Sequence, residues 1–372
     1  MPSIYDELGV RTIINCATTY TRIGGSIMDL SVAQSMADAA GAFVDIPELI
    51  EAVGKRLAVL TSNESAYVSN GAAAGLTIAT AAAICGEDPA KAAKLPIDMD
   101  GLKNEVVVHR VNRIWYDQAV RNAGARLIEI GHVYETQAWE LDAAINERTA
   151  AVLYAAGAHL NRNSLPLEYV VERAHAHGIP VIVDAAAQVP PLSNLTYFTR
   201  EMGVDVAIFS GGKNLRGPQN SGLVVGTEAM IRAMRFNGPP NQRFARNLKV
   251  GKETMIGLLK AVERYVNLGH AVLWDEWSAV VDSWSAAWSG IADIHRLNTN
   301  EAGEPIPRLI MSFADKPARD SYIANLRAGT PQIAVVLNDD RSIAFSPHLL
   351  QPGEAEIVRT KVLEMAAISM QI

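Results

Sequence analysis

A chain of 372 residues, 49% hydrophobic and 20% charged, has the balance of a globular enzyme with room for a large domain and a smaller one. Its formal charge of −7 weighs against nucleic acid or an anionic membrane as the main partner. The two cysteines, Cys16 and Cys85, form no CxxC pattern, and the opening MPSIYDELGVR lacks a basic stretch followed by an apolar one. Reduced thiols in a cytoplasmic protein without a signal peptide are therefore expected.

Residues 1–30 carry little helical periodicity and read as an N-terminal arm with a polar loop over 18–25. Helical spacing follows over 31–41, with Ser31 as its cap, and over 47–61, with Pro47 near its start. The uncharged stretch 65–86 contains a GxxxG match, but its glycines, serines, threonines and Asn70 suit a strand over 66–69, a tight turn and a buried helix over 72–84. No membrane span is expected there. Beyond it, strands at 105–109, 126–130, 150–154 and 180–184 alternate with helices at 116–123, 137–146 and 167–177. Two further strands are expected at 204–209 and 222–226.

Near-continuous Val/Ile/Ala strands alternating with helices define an α/β fold, a mostly parallel central sheet covered on both faces. Its ligand crevice belongs at the carboxyl ends of the strands. After Asn237 the pattern changes to a long helical run over 248–288, then strands at 291–297, 308–313 and 332–337 among helices at 316–327 and 353–368. The expected division is an arm over 1–30, a large domain over 31–245 and a small α+β domain over 246–372.

Three strand ends carry chemistry. Ser69-Asn70-Gly71-Ala72-Ala73 is a strand-to-helix turn of small residues, where backbone N–H groups and the helix dipole favour an anion. Val181-Ile182-Val183-Asp184 puts a carboxylate at the end of an apolar strand, where it needs a cationic partner. The following Ala185, Ala186 and Ala187 leave room for a flat ring. Ser210-Gly211-Gly212-Lys213 ends a third strand, with a hydroxyl for the anion and a lysine able to form a Schiff base. An anion cradle, a desolvated aspartate and a lysine in this order are what a pyridoxal 5'-phosphate (PLP) site requires.

The stretches SNGAAAG, VIVDAAAQ and FSGGKNLRGPQNSGLVVG, with LKVGKE and the opening YDELGVRTIINCATTYTRIGGS, resemble the SelA-like branch of fold-type-I PLP-dependent enzymes. Within that branch the chain is similar to the D-glucosaminate-6-phosphate ammonia-lyase-like group. The resemblance implies Lys213 as the Schiff-base lysine, Asp184 as the pyridinium partner, and Ser210 with Gly71, Ala72 and Ala73 around the phosphate. The large domain then becomes the PLP-binding one, with Ala186 among its cofactor-binding residues. Where the family commonly reads QRxHRxPYD, this chain reads HRVNRIWYD, so Asn112 stands at the ring-stacking histidine, with His109 nearby.

Arg216 and Gln188 are candidates for the substrate, as are Arg22 and Tyr20 reaching a neighbouring subunit's site by analogy with the fold type. No metal is expected: His175 and His177 suit the end of a helix. Trp274, Trp277, Trp284 and Trp288 suit packing or a subunit interface. The implied activity is that of a lyase acting on an amino-acid-like substrate, by Cα deprotonation, loss of a β-hydroxyl and release of ammonia. Racemisation, retro-aldol cleavage and a non-catalytic binding role are the alternatives. A homodimer or larger homo-oligomer is expected.

Overall fold

The computed structural model describes residues 4–369, which form two compact units. The smaller holds the residues up to Ile27, Gly269–Asn300 and the residues from Glu304 on; the larger holds Met28–Leu268 with Glu301–Gly303. The first strand, β1 (Ile13–Asn15), belongs to the smaller unit.

The larger unit is built on seven strands: β2 (Ser65–Ser69), β3 (Glu105–His109), β4 (Arg126–Ile130), β5 (Thr149–Ala155), β6 (Val181–Asp184), β7 (Val206–Ser210) and β8 (Gly222–Gly226). They lie in the order β2-β8-β7-β6-β5-β3-β4. All are parallel except β8, which runs antiparallel to both β2 and β7.

Alternation along each strand sends side chains to two cores. Val107, Val152, Val183, Phe209 and Val225 meet Leu57, Val170, Phe198 and Leu258 on one face. Val106, Leu153, Ile182, Ile208 and Val224 meet Leu76, Ala79 and Met234 on the other. Burial on both sides explains why these strands read as apolar runs. The helix Gly71–Cys85 is buried along most of its length, and its alanines let it lie close to the sheet.

The smaller unit contains β9 (Asp293–Leu297), β10 (Arg308–Ser312), β11 (Gln332–Ala334), β12 (Val336–Asp339) and β13 (Ser342–Phe345). An antiparallel sheet runs β12-β13-β10-β9, and β1 pairs in parallel with β11. Its core is aromatic: Trp284 and Trp288 stack with ring centres 5.4 Å apart, and Phe345 meets both edge-on.

Several local expectations give way. Asp29, not Ser31, caps the helix Leu30–Ala40, and its carboxylate takes the Ser31 N–H at 2.9 Å. The helical run over 248–288 is two helices, Lys252–Val266 and His270–Trp288, broken where Asn267 leaves helical geometry before Gly269. The segment 332–337 divides into β11 and β12, which pair in different sheets. The helix expected at 116–123 opens with a 3-10 turn, Trp115–Asp117, before Gln118–Asn122.

Candidate active site

Strand register gathers the expected site residues along one edge of the sheet. Ser69 and Ser210 both lie opposite Gly222, the first residue of β8. Asp184 pairs with Ile208 on one side and Ala155 on the other. The carboxyl ends of β2, β7, β6 and β5 are therefore neighbours, at about 5 Å per strand.

At the β2 end, the Ser69 hydroxyl donates to Gly71 O at 2.9 Å and so fixes the turn into the helix Gly71–Cys85. The side chain of Asn70, at its N-cap, makes no capping hydrogen bond, which suits the helix dipole and first N–H groups to an anion. Gly71 has φ +79°, and a Cβ there would find open space for 4 Å around. Gly222 is the opposite case: a Cβ would stand 2.5 Å from Ser69 Oγ and 2.8 Å from Gly71 O. The cradle thus depends on a glycine in β8 that spacing did not mark out.

At the β6 end, Asp184 is buried, and its Oδ1 accepts the Ala186 N–H at 3.0 Å. Burial holds its carboxyl above the usual range, while the Ala186 N–H and the Lys213 charge pull it back down. No hydrogen bond from the described residues reaches Oδ2. A carboxylate so desolvated suits a buried cation.

Lys213 is half-buried in the turn after β7, where its N–H donates to Ser210 O at 3.4 Å, and its charge is felt at Asp184. The lysine thus follows β7 and the aspartate ends its neighbour β6, near enough for the charge of one to act on the other. Arg216 closes the next turn, N–H to Lys213 O at 2.9 Å, in left-handed backbone at φ +54°. Burial and the nearby Arg264 lower its pKa, and Asp29, which pairs with Arg264 at 2.9 Å, opposes that shift. Neither Arg264 nor Asp29 carries a motif, and only the fold brings them to Arg216.

The loop after β3 is buried at its centre. Asn112 donates from Nδ2 to Leu160 O at 2.9 Å, and its buried Oδ1 has no hydrogen-bond partner. His109 is fully buried; its Nε2 accepts the Leu165 N–H at 3.3 Å and its ring meets Tyr154 edge-on. That burial lowers its pKa to about 4, so the ring is neutral and its proton rests on Nδ1. His109 thereby braces the segment after β5. Arg113 ties the same loop to Asp117 and Glu129, while Trp115 is exposed.

Gln188 is half-buried, and its Nε2 donates to Ala187 O at 2.7 Å and Ala302 O at 3.3 Å. Tyr20 and Arg22 lie in the smaller unit, exposed, with the guanidinium 5.3 Å from the ring centre. His175 pairs with Asp205 at 2.8 Å, which satisfies it within the larger unit.

A mostly parallel seven-stranded sheet with one antiparallel strand, and a lysine and a buried aspartate at its carboxyl edge, define the fold-type-I fold of PLP-dependent enzymes. Solved structures of much lower identity share that fold. The family model for SelA, L-seryl-tRNA selenium transferase, matches residues 47–272, and the chain belongs to that family. It is 36% identical over 376 residues to D-glucosaminate-6-phosphate ammonia lyase of Salmonella typhimurium, covering 98% of each chain. A solved structure of D-glucosaminate-6-phosphate ammonia-lyase superposes with a TM-score of 0.85 at 32% identity, covering 99% of each chain. A Streptomyces protein, 5'-C-glycyluridine monooxygenase-decarboxylase, is 33% identical over 373 residues, 95% of this chain and 90% of its own.

Proposed function

We propose that the chain is a PLP-dependent carbon–nitrogen lyase, acting on an amino-acid-like substrate of the sugar-acid amine kind for which its Salmonella relative is named. The observation that carries this reading is the meeting of Lys213, Asp184 and the uncapped helix at Gly71 along one sheet edge. These residues fit the cofactor group by group. Gly71, Ala72 and Ala73 present N–H groups to a phosphate, and Ser210 adds a hydroxyl. Asp184 offers a desolvated carboxylate to a ring nitrogen, and Ala186 leaves space beside it. Asn112, with a buried Oδ1 lacking any partner, stands where the family places its stacking histidine.

When bound, the cofactor supplies a carbonyl that takes the substrate amine and a protonated ring that accepts the electron pair left at Cα. The chain's own groups do the rest. Asp184 holds the ring nitrogen protonated, because a cation offsets the desolvation of its buried charge. Lys213 Nζ removes the Cα proton and returns a proton to the departing β-hydroxyl. The Cα–H and Cβ–O bonds break and a Cα=Cβ bond forms. The enamine moves a proton from nitrogen to Cβ, and water then adds at Cα and displaces ammonia by breaking the C–N bond, which leaves a 2-oxo acid. Arg216, and Arg22 with Tyr20 from a neighbouring subunit, take the anionic groups of the substrate. The protein works in the cytoplasm as a homo-oligomer, and exposed apolar side chains such as Phe43, Trp115 and Tyr134 support the association of subunits. Sedimentation as a strict monomer would contradict that part.

The test is a visible spectrum of the purified protein with PLP, before and after borohydride, followed by product analysis with D-glucosaminate 6-phosphate and hydroxy-amino acids in deuterated water. Bound-cofactor absorbance that borohydride abolishes, with ammonia and a 2-oxo acid formed, is the expected result. A colourless protein refutes the cofactor. Deuterium in recovered substrate marks racemisation, and an aldehyde marks retro-aldol cleavage. Carbon dioxide released with oxygen uptake marks chemistry of the kind the Streptomyces relative is named for. An unchanging spectrum across the panel marks a binding protein.

A further inference from the structure

The larger unit includes three residues from far along the chain, Glu301–Gly303. They sit at the ends of β5 and β6. Ala302 is 7% exposed, and its carbonyl accepts hydrogen bonds from Ala158 N–H at 3.0 Å and from Gln188 Nε2 at 3.3 Å. Gly303 has φ +86°, and a Cβ there would lie 2.8 Å from the Ala158 methyl, so only glycine allows so close an approach. The ends of the tripeptide are drawn together, Asn300 N–H to Glu304 O at 3.1 Å and Glu304 N–H to Asn300 Oδ1 at 3.0 Å.

Gln188 is itself held firmly. Its N–H donates to Ala185 O at 3.1 Å and its carbonyl takes Asn194 Nδ2 at 2.6 Å. The segment it ends begins at Asp184, whose carbonyl accepts the Ala156 N–H at 2.9 Å. In the strand order β2-β8-β7-β6-β5, the anion cradle lies on one side of Asp184 and this seat on the other. The tripeptide is thus fixed beside the crevice on the side away from the cradle.

We infer that Gln188 is a positioning residue: it seats Glu301–Gly303 as the crevice wall met by the part of a substrate that extends beyond Cβ. This rests on the proposed lyase reading, and it makes Gln188 a determinant of substrate length rather than a ligand of the substrate. A short hydroxy-amino acid does not reach the wall. A sugar-acid amine does.

The experiment compares the cofactor-loaded wild type with Gln188→Leu, which keeps the size and removes the donor, and Gln188→Glu, which turns an acceptor toward the Ala302 carbonyl. Amide hydrogen exchange at Ala158 and residues 301–303 reports the seat directly, and steady-state kinetics with D-glucosaminate 6-phosphate and D-serine reports its use. Both variants are expected to exchange faster at these amides. KM for the long amine should rise about fivefold, with a smaller change in kcat and no change in KM for D-serine. Unchanged exchange, or an equal rise of KM for both amines, overturns the inference alone. A wild type that binds neither cofactor nor amine overturns the lyase reading and length selection with it.

Discussion

Acid should destabilise this protein through His109, and the size of the effect can be worked from its surroundings. The imidazole is fully buried, and burial lowers its pKa from 6.5 to about 4. Above the unfolded value the ring is neutral in both states and contributes nothing to pH dependence. As pH falls below it, the unfolded chain takes up a proton that the folded chain refuses, so stability drops until the folded ring also protonates. At 1.36 kcal/mol per pKa unit the full loss is about 3 kcal/mol, with about 2.5 kcal/mol reached near pH ~4.5.

His109→Gln keeps an acceptor for the Leu165 N–H and removes the titration. Urea unfolding of the cofactor-free wild type and variant, from roughly pH 7 down to roughly pH 4.5, should show the wild type losing that margin relative to the variant. Asp184, whose raised pKa works in the opposite direction as pH falls, is common to both chains and cancels in the difference. Parallel stability curves through the window would refute the assignment of a neutral, buried His109.

Two further outcomes test the crevice. Asp184→Asn should stabilise the cofactor-free chain near neutral pH, because the raised carboxyl pKa means its charge costs stability there, and it should weaken PLP binding at least about tenfold. Thermal melts with and without PLP check both signs, and a PLP-induced shift equal to that of the wild type would count against the pyridinium contact. Gly222→Ala should cost about 1–3 kcal/mol and loosen phosphate binding by pushing on Ser69 and Gly71, whereas Gly290→Ala, with open space around the new methyl, should stay within about 0.5 kcal/mol. Denaturant melts of the two variants make the comparison.

What could be read from the residues was what each strand carries in itself. Runs such as Val181–Asp184 and Val206–Ser210 are apolar on both faces, so their strand character and burial need no distant partner. The lysine and aspartate at their ends follow from the same runs. Features decided by pairing at a distance were not legible. β1 is three residues long and is held by β11, and β13 is four residues long and is held between two neighbours. Asp29 and Arg264 reach Arg216 from separate helices. The engagement of His109 with Leu165 depends on a loop whose path no periodicity announces.

The place of β8 in the sheet also governs when the protein becomes competent during synthesis. The hydroxyl of Ser69 reaches the carbonyl of Gly222 at 3.4 Å across a separation of 153 positions in sequence. Closing so long a loop costs entropy before any contact repays it. A nascent chain therefore carries β2 as an unpaired edge until β8 leaves the ribosome, about ten seconds or more after β2 at ordinary elongation rates. In that interval the turn from β2 into the helix Gly71–Cys85 lacks the strand against which it packs.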